Sequence, residues 1–419
     1  MSQPDPESPN KRDRLVVVMV GLPARGKTYT ARKLERYLRW QGRAARVFNV
    51  GNYRRERLGA HQRADFFDPQ NPDGLAQRRA MAEAALADML AWLDGEGEVG
   101  IYDATNSTRT RRAWVRKRCE AAGCRVLFVE SICDDPAVLE HNIRETKLRS
   151  PDYRDVDPED AVADFKRRIA MYEEAYETID EDDASWVKLV DAGNRIVVNR
   201  LQGYLPSRLV TLLMNLHITS RPIWLTRHGQ SAFNVDGRLG GNPDLSPLGR
   251  EYGHALRRFV DQRAPDDLVV WSSTLERTLQ TARLVGRASR AWRALEEIDA
   301  GIYDGFTYAG IALQAPAEAE ARRADKLRYR YPRGESYEDV IRRLDPVILE
   351  MERQRRPLLV IGHNAVIRAL YGYFADVPTD RIPHLQIPLH TVIELTPRAY
   401  GIAESRHKLL EGAKEASSG

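Results

Sequence analysis

The chain has 419 residues, 42% of them hydrophobic and 30% charged, with a formal net charge of +4. That length exceeds one ordinary core and predicts two domains. No apolar run approaches the roughly 18 residues of a membrane span, and so small a charge excess argues against a concentrated basic face for nucleic acid. The three cysteines, Cys119, Cys124 and Cys133, are too few and too unevenly placed for a disulfide framework or a four-ligand zinc site, so reduced thiols are expected.

Residues 1–13 are rich in Pro, Ser and charge and have no apolar core, which predicts a disordered tail, no secretory signal and a cytoplasmic protein. "RLVVVMVG" at 14–21 is a continuous apolar run ending in Gly, as expected of a strand buried on both faces of a parallel sheet. Gly21 to Thr28 then match G-x-x-x-x-G-K-T. In that pattern Gly21 and Gly26 let backbone amides turn toward phosphate, Lys27 reaches the outer phosphates and Thr28 supplies a hydroxyl to magnesium at a helix N-terminus. The helix follows at once, because Ala31, Leu34, Tyr37 and Leu38 recur at helical spacing.

Strands at "ARVFNV", "EVGIYD", "RVLFVES" and "WVKLV", separated by helices over 76–93, 108–122, 136–147 and 158–178, extend the alternation and predict a doubly wound α/β layer. Asp103 closes one of these runs, at the strand end where α/β sheets bind ligands. Taken alone it reads more simply as a helix N-cap; downstream of a phosphate loop it is placed to organise magnesium. Three Arg clusters, "NYRRERLG", "TRTRRAWVRKR" and "ARRADKLRYRYPRG", are either solvated helix faces or sites for sugar phosphates.

Residues 200–222 interrupt the rhythm with Gly and Pro, and the domain boundary is placed there. The expected division is a tail at 1–13, a P-loop kinase domain at 14–220, a histidine-phosphatase-type domain at 221–405 and a tail at 406–419. A second series follows: "PIWLTRHG" as a strand, 247–262 as a helix, "DLVVWSS" as a strand, 275–288 as a helix, and "PLLVIGHN" as a strand entering a helix near 365. The fold class is therefore two doubly wound α/β domains, with no internal repeat. His228 and His363 each end a strand. Either one alone reads as a structural histidine, but together with Arg227 and Arg277 they make a plausible phosphate pocket with one imidazole as nucleophile.

The segments "GLPARGKTY", "VFNVGNYRRE", "DATNSTRTRR", "ESICDDP", "NIRETKLRSPDY" and "RLQGY" resemble the kinase half of the 6-phosphofructo-2-kinase/fructose-2,6-bisphosphatase family, and the second half resembles its histidine phosphatase superfamily partner. The resemblance spans nearly all of 15–400. It implies that ATP and Mg2+ are served by Gly21, Gly26, Lys27, Thr28, Tyr29 and Asp103, with Thr28 and Asp103 on the metal. It further implies that Asn142 to Lys147 line the nucleotide site, with Lys147 near the transferred phosphate. Arg54, Arg78, Thr105, Arg111, Arg168 and Tyr172 are implied to hold fructose 6-phosphate, and no obvious general base accompanies them. Cys133 matches a family position near the site but reads equally as a buried structural thiol.

In the second half the resemblance implies that His228 attacks the 2-phosphoryl group, Glu297 gives a proton to the departing oxygen, and His363 stabilises the transferring group without a metal. Arg227, Asn234, Gly240, Arg277, Tyr308, Arg322, Lys326, Tyr337, Asn364 and Arg368 are implied to bind fructose 2,6-bisphosphate. Gln230 and Asn364 depart from the Glu and Gln of many relatives, which puts the tuning of the phosphatase in question. Three rivals stand beside the bifunctional reading: a kinase whose phosphatase half is a binding or regulatory module, a nucleic-acid end-repair kinase and phosphatase, and a nonenzymatic nucleotide-binding scaffold. The substrates implied are small molecules, with no nucleic acid and no membrane, and a homodimer is left open.

Overall fold

The computed structural model describes residues 14–411 apart from 61, 63, 69, 145–150, 154–155, 192, 218 and 399–400. The chain divides between Leu216 and His217 into two compact units.

The first unit carries strands β1 (Leu15–Val20), β2 (Ala45–Asn49), β3 (Val99–Asp103), β4 (Arg125–Ile132), β5 (Trp186–Val190) and β6 (Arg195–Asn199). Its helices are α1 (Lys27–Trp40), α2 (Val50–Leu58), α3 (Pro72–Gly95), α4 (Arg109–Ala121), α5 (Pro136–Asn142), α6 (Pro158–Glu173) and α7 (Tyr204–Leu213). The sheet order is β2-β3-β1-β4-β5-β6. β1 pairs in parallel with β3 and β4 and is buried throughout, which is why its sequence reads as unbroken Val and Met with no alternation. Chain order reverses around β1, so its C-terminal end opens at a switch point where α/β sheets take ligands.

Four features depart from the sequence expectation. β6 returns antiparallel to β5 as an edge strand, through a turn with Asp191 at φ 51° and Gly193 at φ 92°. α6 stops at Glu173, short of 178, because the fully buried Glu130 carboxylate accepts from Tyr176 Oη, Thr178 Oγ1 and the Ile179 amide and draws that segment out of helical register. α5 ends at Asn142 with Ile143 as its C-cap, and 145–147 of the expected helix lie outside the described residues. The stretch read as an interdomain break contains α7, which buries Leu209 and Leu212 and sends Arg208 Nη2 to Tyr37 Oη at 3.1 Å on α1.

The second unit carries β7 (Ile223–Arg227), β8 (Val269–Ser272), β9 (Ser289–Ala291), β10 (Leu358–Gly362), β11 (Thr391–Pro397) and β12 (Ile402–Lys408). Its helices are α8 (Ala232–Asp236), α9 (Pro247–Arg263), α10 (Glu276–Val285), α11 (Tyr308–Gln314), α12 (Pro316–Ala324), α13 (Tyr337–Arg353) and α14 (Asn364–Phe374). The order is β12-β11-β7-β10-β8-β9, parallel from β7 to β9 and closed on one side by the antiparallel β11 and β12. Both sheets are thus mixed. β12 runs through residues 406–408, and Leu409 and Leu410 pack on the core of Trp224, Phe259 and Val392, so this part of the expected tail is structured. Residues 1–13 and 412–419 lie outside the described residues.

Candidate functional site

In the first unit the site grows from the end of β1. Gly21 sits at φ 131°, and a Cβ there would lie 2.5 Å from the Ser131 carbonyl oxygen, so only Gly lets the loop pass this close to β4. Gly26, at φ 85°, starts α1, and among the described residues no side chain caps that helix. A helix N-terminus of this kind, at the end of a phosphate loop, is an arrangement that receives phosphate. Lys27 Nζ donates to the Leu22 carbonyl across the loop at 2.6 Å, and Asn142 Nδ2 donates to the Ala24 carbonyl at 3.0 Å. Thr105 holds the loop from the other side, its carbonyl accepting the Gly21 amide at 3.0 Å. Thr28 and Tyr29 lie in the first turn of α1, and Lys147 lies outside the described residues.

Asp103 is buried at the end of β3, in register with Met19 of β1 and Asn49 of β2. Asn49 Nδ2 donates to Asp103 Oδ2 while Asn49 Oδ1 caps α2 by accepting the Asn52 amide at 3.0 Å. Sequence reading passed over Asn49, although it closes an apolar strand run just as Asp103 does. The Asp103 carboxylate and the Thr28 hydroxyl are oxygen donors of the kind Mg2+ takes, with waters and nucleotide phosphates as its other ligands. Among the described residues there is no cluster of three or more His, Cys, Asp or Glu for an all-protein metal cage.

Four of the six residues expected at the sugar phosphate converge on Phe67. The Arg168 guanidinium lies 3.4 Å from its ring centroid and that of Arg54 5.5 Å, the Tyr172 ring is 6.2 Å away, and Arg78 donates to its carbonyl. Arg54 is buried and donates to Asp152 Oδ2 at 2.5 Å, yet its Nη1, the Arg168 Nε and the Asp152 Oδ1 have no hydrogen-bond partner among the described residues. Burial, against the attraction of Asp152, pulls the Arg54 pKa below the usual arginine range, and the Arg168 charge adds to that. Arg54, which is buried, and Arg168, which is half-buried, thus each keep an open buried donor of the kind that matches phosphate oxygens. Phe67 was not legible beforehand, since neither motif nor spacing marks it, and Asp152 lies in the segment "NIRETKLRSPDY" without having been given a role. Arg111 is held elsewhere, donating to Tyr102 Oη at 2.8 Å and stacking on Trp114 at 4.3 Å. Burial pushes the Cys133 thiol pKa up, and all three cysteines are buried and free, so they are poor nucleophiles.

In the second unit the parallel register sets Gly362 of β10 opposite Arg227 of β7, so His228 and His363 leave adjacent strand ends. Their ring centroids are 5.1 Å apart, and the His228 amide donates to the Gly362 carbonyl at 3.0 Å. Gly229 is required by close approach: a Cβ there would lie 2.2 Å from the Gly249 carbonyl oxygen at the start of α9. His228 Nδ1 lies 2.7 Å from the Gly229 carbonyl, which can only accept, so Nδ1 carries the proton. Nε2 receives the Arg277 Nε–H at 3.1 Å and is therefore bare. Burial first, then the Arg277 charge, holds the His228 pKa well below 6.5; the same two causes, with His228 itself, do so for His363. Both rings are neutral at pH 7, the state a nucleophilic imidazole needs.

Arg227 Nη1 donates to the Ile387 carbonyl at 3.0 Å, and Arg277 Nη1 to the Gly241 carbonyl at 2.7 Å. Glu297 faces the N-terminus of α14, accepting the Asn364 and Ala365 amides at 3.0 and 3.1 Å and its neighbour Ile298's at 3.0 Å. Asn364 Oδ1 is buried with no hydrogen-bond partner among the described residues. Asn234 Oδ1 is taken by the Ser231 amide in a capping box. Gly240, at φ 61°, precedes Gly241, whose amide donates to Asp304 Oδ1. Arg322 lies 4.2 Å over the Tyr308 ring and donates to Tyr331 Oη; Arg368 donates to Tyr337 Oη at 3.0 Å. Burial, then the charges of Arg322 and Arg368, pushes Lys326 down to about 8. Gln230 has a structural use: its side-chain carbonyl accepts from Ser246 Oγ, the cap of α9, at 2.8 Å, while its backbone N–H donates to His390 Nε2 at 3.2 Å. A neutral side chain accepts the buried Ser246 bond without desolvating a charge.

A phosphate loop at one sheet's switch point, and paired histidines between two guanidiniums on another, define a kinase unit and a histidine phosphatase unit in one chain. The 6-phosphofructo-2-kinase family matches residues 4–220, and branch 1 of the histidine phosphatase superfamily matches 223–408. Relatives named 6-phosphofructo-2-kinase/fructose-2,6-bisphosphatase include one from Arabidopsis thaliana, 50% identical over 96% of this chain and 55% of its own length. Another, form 4 from Homo sapiens, is 50% identical over 92% of this chain and 83% of its own. A solved mycobacterial glucosyl-3-phosphoglycerate phosphatase is 28% identical over 45% of this chain and 100% of its own, with a TM-score of 0.40. The chain belongs to the bifunctional 6-phosphofructo-2-kinase/fructose-2,6-bisphosphatase family and carries both of its enzymatic domains; its kinase unit is of a kind that uses ATP. Among the described residues no helix is long and apolar enough to cross a membrane.

Proposed function

We propose that the first unit transfers the γ-phosphoryl group of ATP to the 2-hydroxyl of fructose 6-phosphate and that the second removes it by way of a phosphohistidine. In the forward reaction the hydroxyl oxygen attacks the γ-phosphorus, the bond to the β,γ-bridging oxygen breaks, ADP leaves and the hydroxyl proton is released. The loop from Gly21 to Gly26 and the first turn of α1 cradle the phosphates, Lys27 neutralises charge, and Lys147 is assigned a place near the transferred group. Thr28 and Asp103 are the residues to hold Mg2+, which when bound neutralises charge on the phosphate oxygens. Arg54, Arg78 and Arg168 hold the sugar 6-phosphate with Tyr172, while Thr105 and Arg111 are assigned to the same substrate.

In the reverse reaction His228 Nε2 attacks the 2-phosphorus and the bond to the sugar oxygen breaks. Glu297 supplies the proton that this oxygen takes. Water then attacks the phosphohistidine, giving a proton to Glu297, and phosphate leaves. Arg227 and Arg277 offset the phosphoryl charge and His363 steadies the transferring group; Asn234, Gly240, Tyr308, Arg322, Lys326, Tyr337, Asn364 and Arg368 bind the rest of the bisphosphate. Reduced, buried cysteines fit a cytoplasmic setting.

The observation that carries this reading is the bare Nε2 of His228, fixed by an acceptor-only carbonyl on one side and a donor-only guanidinium on the other. The test is a paired assay: forward from fructose 6-phosphate and MgATP, backward from labelled bisphosphate. His228→Ala should abolish both phosphate release and trapped label while sparing the forward reaction. Absence of label on the wild-type chain would leave the second unit a binding module.

A further inference from the structure

Behind His363 lies a line of hydroxyls that has a direction. Thr278 Oγ1, on α10, is 2.7 Å from the Leu275 carbonyl and 3.1 Å from the Ser273 carbonyl, both acceptors only, so its single proton lies on that side. Toward Ser273 Oγ, 2.7 Å away, Thr278 therefore presents a lone pair, and the proton of that contact belongs to Ser273. Ser273 is left with lone pairs. One accepts the Leu275 amide at 3.1 Å; the other faces His363 Nε2 at 2.7 Å. That last contact holds only if Nε2 carries a hydrogen. All three side chains are fully buried, where two facing lone pairs have no water to separate them. The other ring nitrogen of His363, Nδ1, is buried and has no hydrogen-bond partner among the described residues.

We propose that Ser273 and Thr278 are positioning residues of the phosphatase unit: the chain His363 Nε2–H to Ser273 to Thr278 to the Leu275 carbonyl locks His363 in its Nε2–H tautomer and reserves a bare Nδ1 for the phosphoryl group. This rests on the phosphohistidine reading above. A bare Nδ1 repels an oxygen lone pair, so the phosphoryl group meets His363 through one proton, carried in on a phosphoryl oxygen of the monoanion. Serine at 273 and threonine at 278 then bear on which protonation state of the substrate is taken, although neither is assigned a contact with it.

The test is nitrogen-15 NMR of the full chain labelled only at its nine histidines, recorded near pH 7 without substrate, with the His363 signals assigned by their loss in His363→Gln. The wild type should show the proton on Nε2. Thr278→Val removes the last acceptor, so the Ser273 proton turns to His363 Nε2 and the ring proton moves to Nδ1; the two nitrogens exchange shift classes. Thr278→Ser should keep the wild-type pattern, and Thr278→Ala, which adds no bulk, carries the same test if the valine variant does not fold. A wild-type ring protonated on Nδ1, or an unchanged pattern in Thr278→Val, overturns the proposal whether or not the bisphosphate is hydrolysed. Ser273→Ala should lower bisphosphatase turnover on the order of tenfold, as when a partner fixing a histidine tautomer is removed, with KM held and forward activity retained; wild-type turnover in that variant also overturns it.

Discussion

Glu297→Gln separates a proton donor from a helix clamp. The carboxylate uses both oxygens: Oε2 accepts the Asn364 amide, and Oε1 accepts those of Ala365 and Ile298. Glutamine has one acceptor. Turned so that its carbonyl keeps Ala365 and Ile298, it sets an NH2 group against the Asn364 N–H and leaves that donor orphaned, at about 1–3 kcal/mol. For a unit of this size each kcal/mol moves the melting temperature by about 2–4 °C, so calorimetry should record a drop of several degrees in the second unit alone. Loss of a general acid removes about 10²–10⁴ in rate. The variant should therefore lose at least about a hundredfold in kcat on fructose 2,6-bisphosphate, whose sugar alkoxide cannot leave unprotonated. It should lose far less on p-nitrophenyl phosphate, whose phenolate leaves unaided. Equal losses on both substrates would refute the acid role and leave Glu297 as the support of α14 and, through it, of His363.

Lys326 offers a pH test. As pH rises through about 8 it should shed its proton, so KM for the bisphosphate should climb between pH 7 and 9 in the wild type and stay flat, from a higher start, in Lys326→Met. Because its folded pKa is depressed from 10.5, the unfolded chain binds the extra proton between about 8 and 10.5, and stability rises with pH across that window. A KM rise there is thus not unfolding. In the first unit, Asn49→Ala removes the amide that orients Asp103 and caps α2. It should cost about 1–2 kcal/mol from the lost cap and raise the MgATP requirement, with bisphosphate hydrolysis unchanged; an unaltered MgATP dependence would dissociate Asn49 from the site.

Local sequence determined the elements whose pattern is short-range. β1 is one buried run, α1 repeats its apolar face every turn, and the loop between them must have Gly where φ is positive and where backbone passes backbone. The same signals located Asp103, His228 and His363, since each ends an apolar strand run. The antiparallel strands escaped: β6 and β12 are partly exposed edge strands with weak periodicity, and β11, though it lies between β7 and β12, has its pairing decided by the strands beside it. Only tertiary structure could gather the ring of cations on Phe67, join Arg54 to Asp152 across 98 residues, or hang His363 from a serine 90 residues away. Residue type and local spacing announce which chemistry is present. Protonation state, tautomer and the direction of a hydrogen-bond chain depend on what is buried against what, and that is settled by contacts distant in the chain.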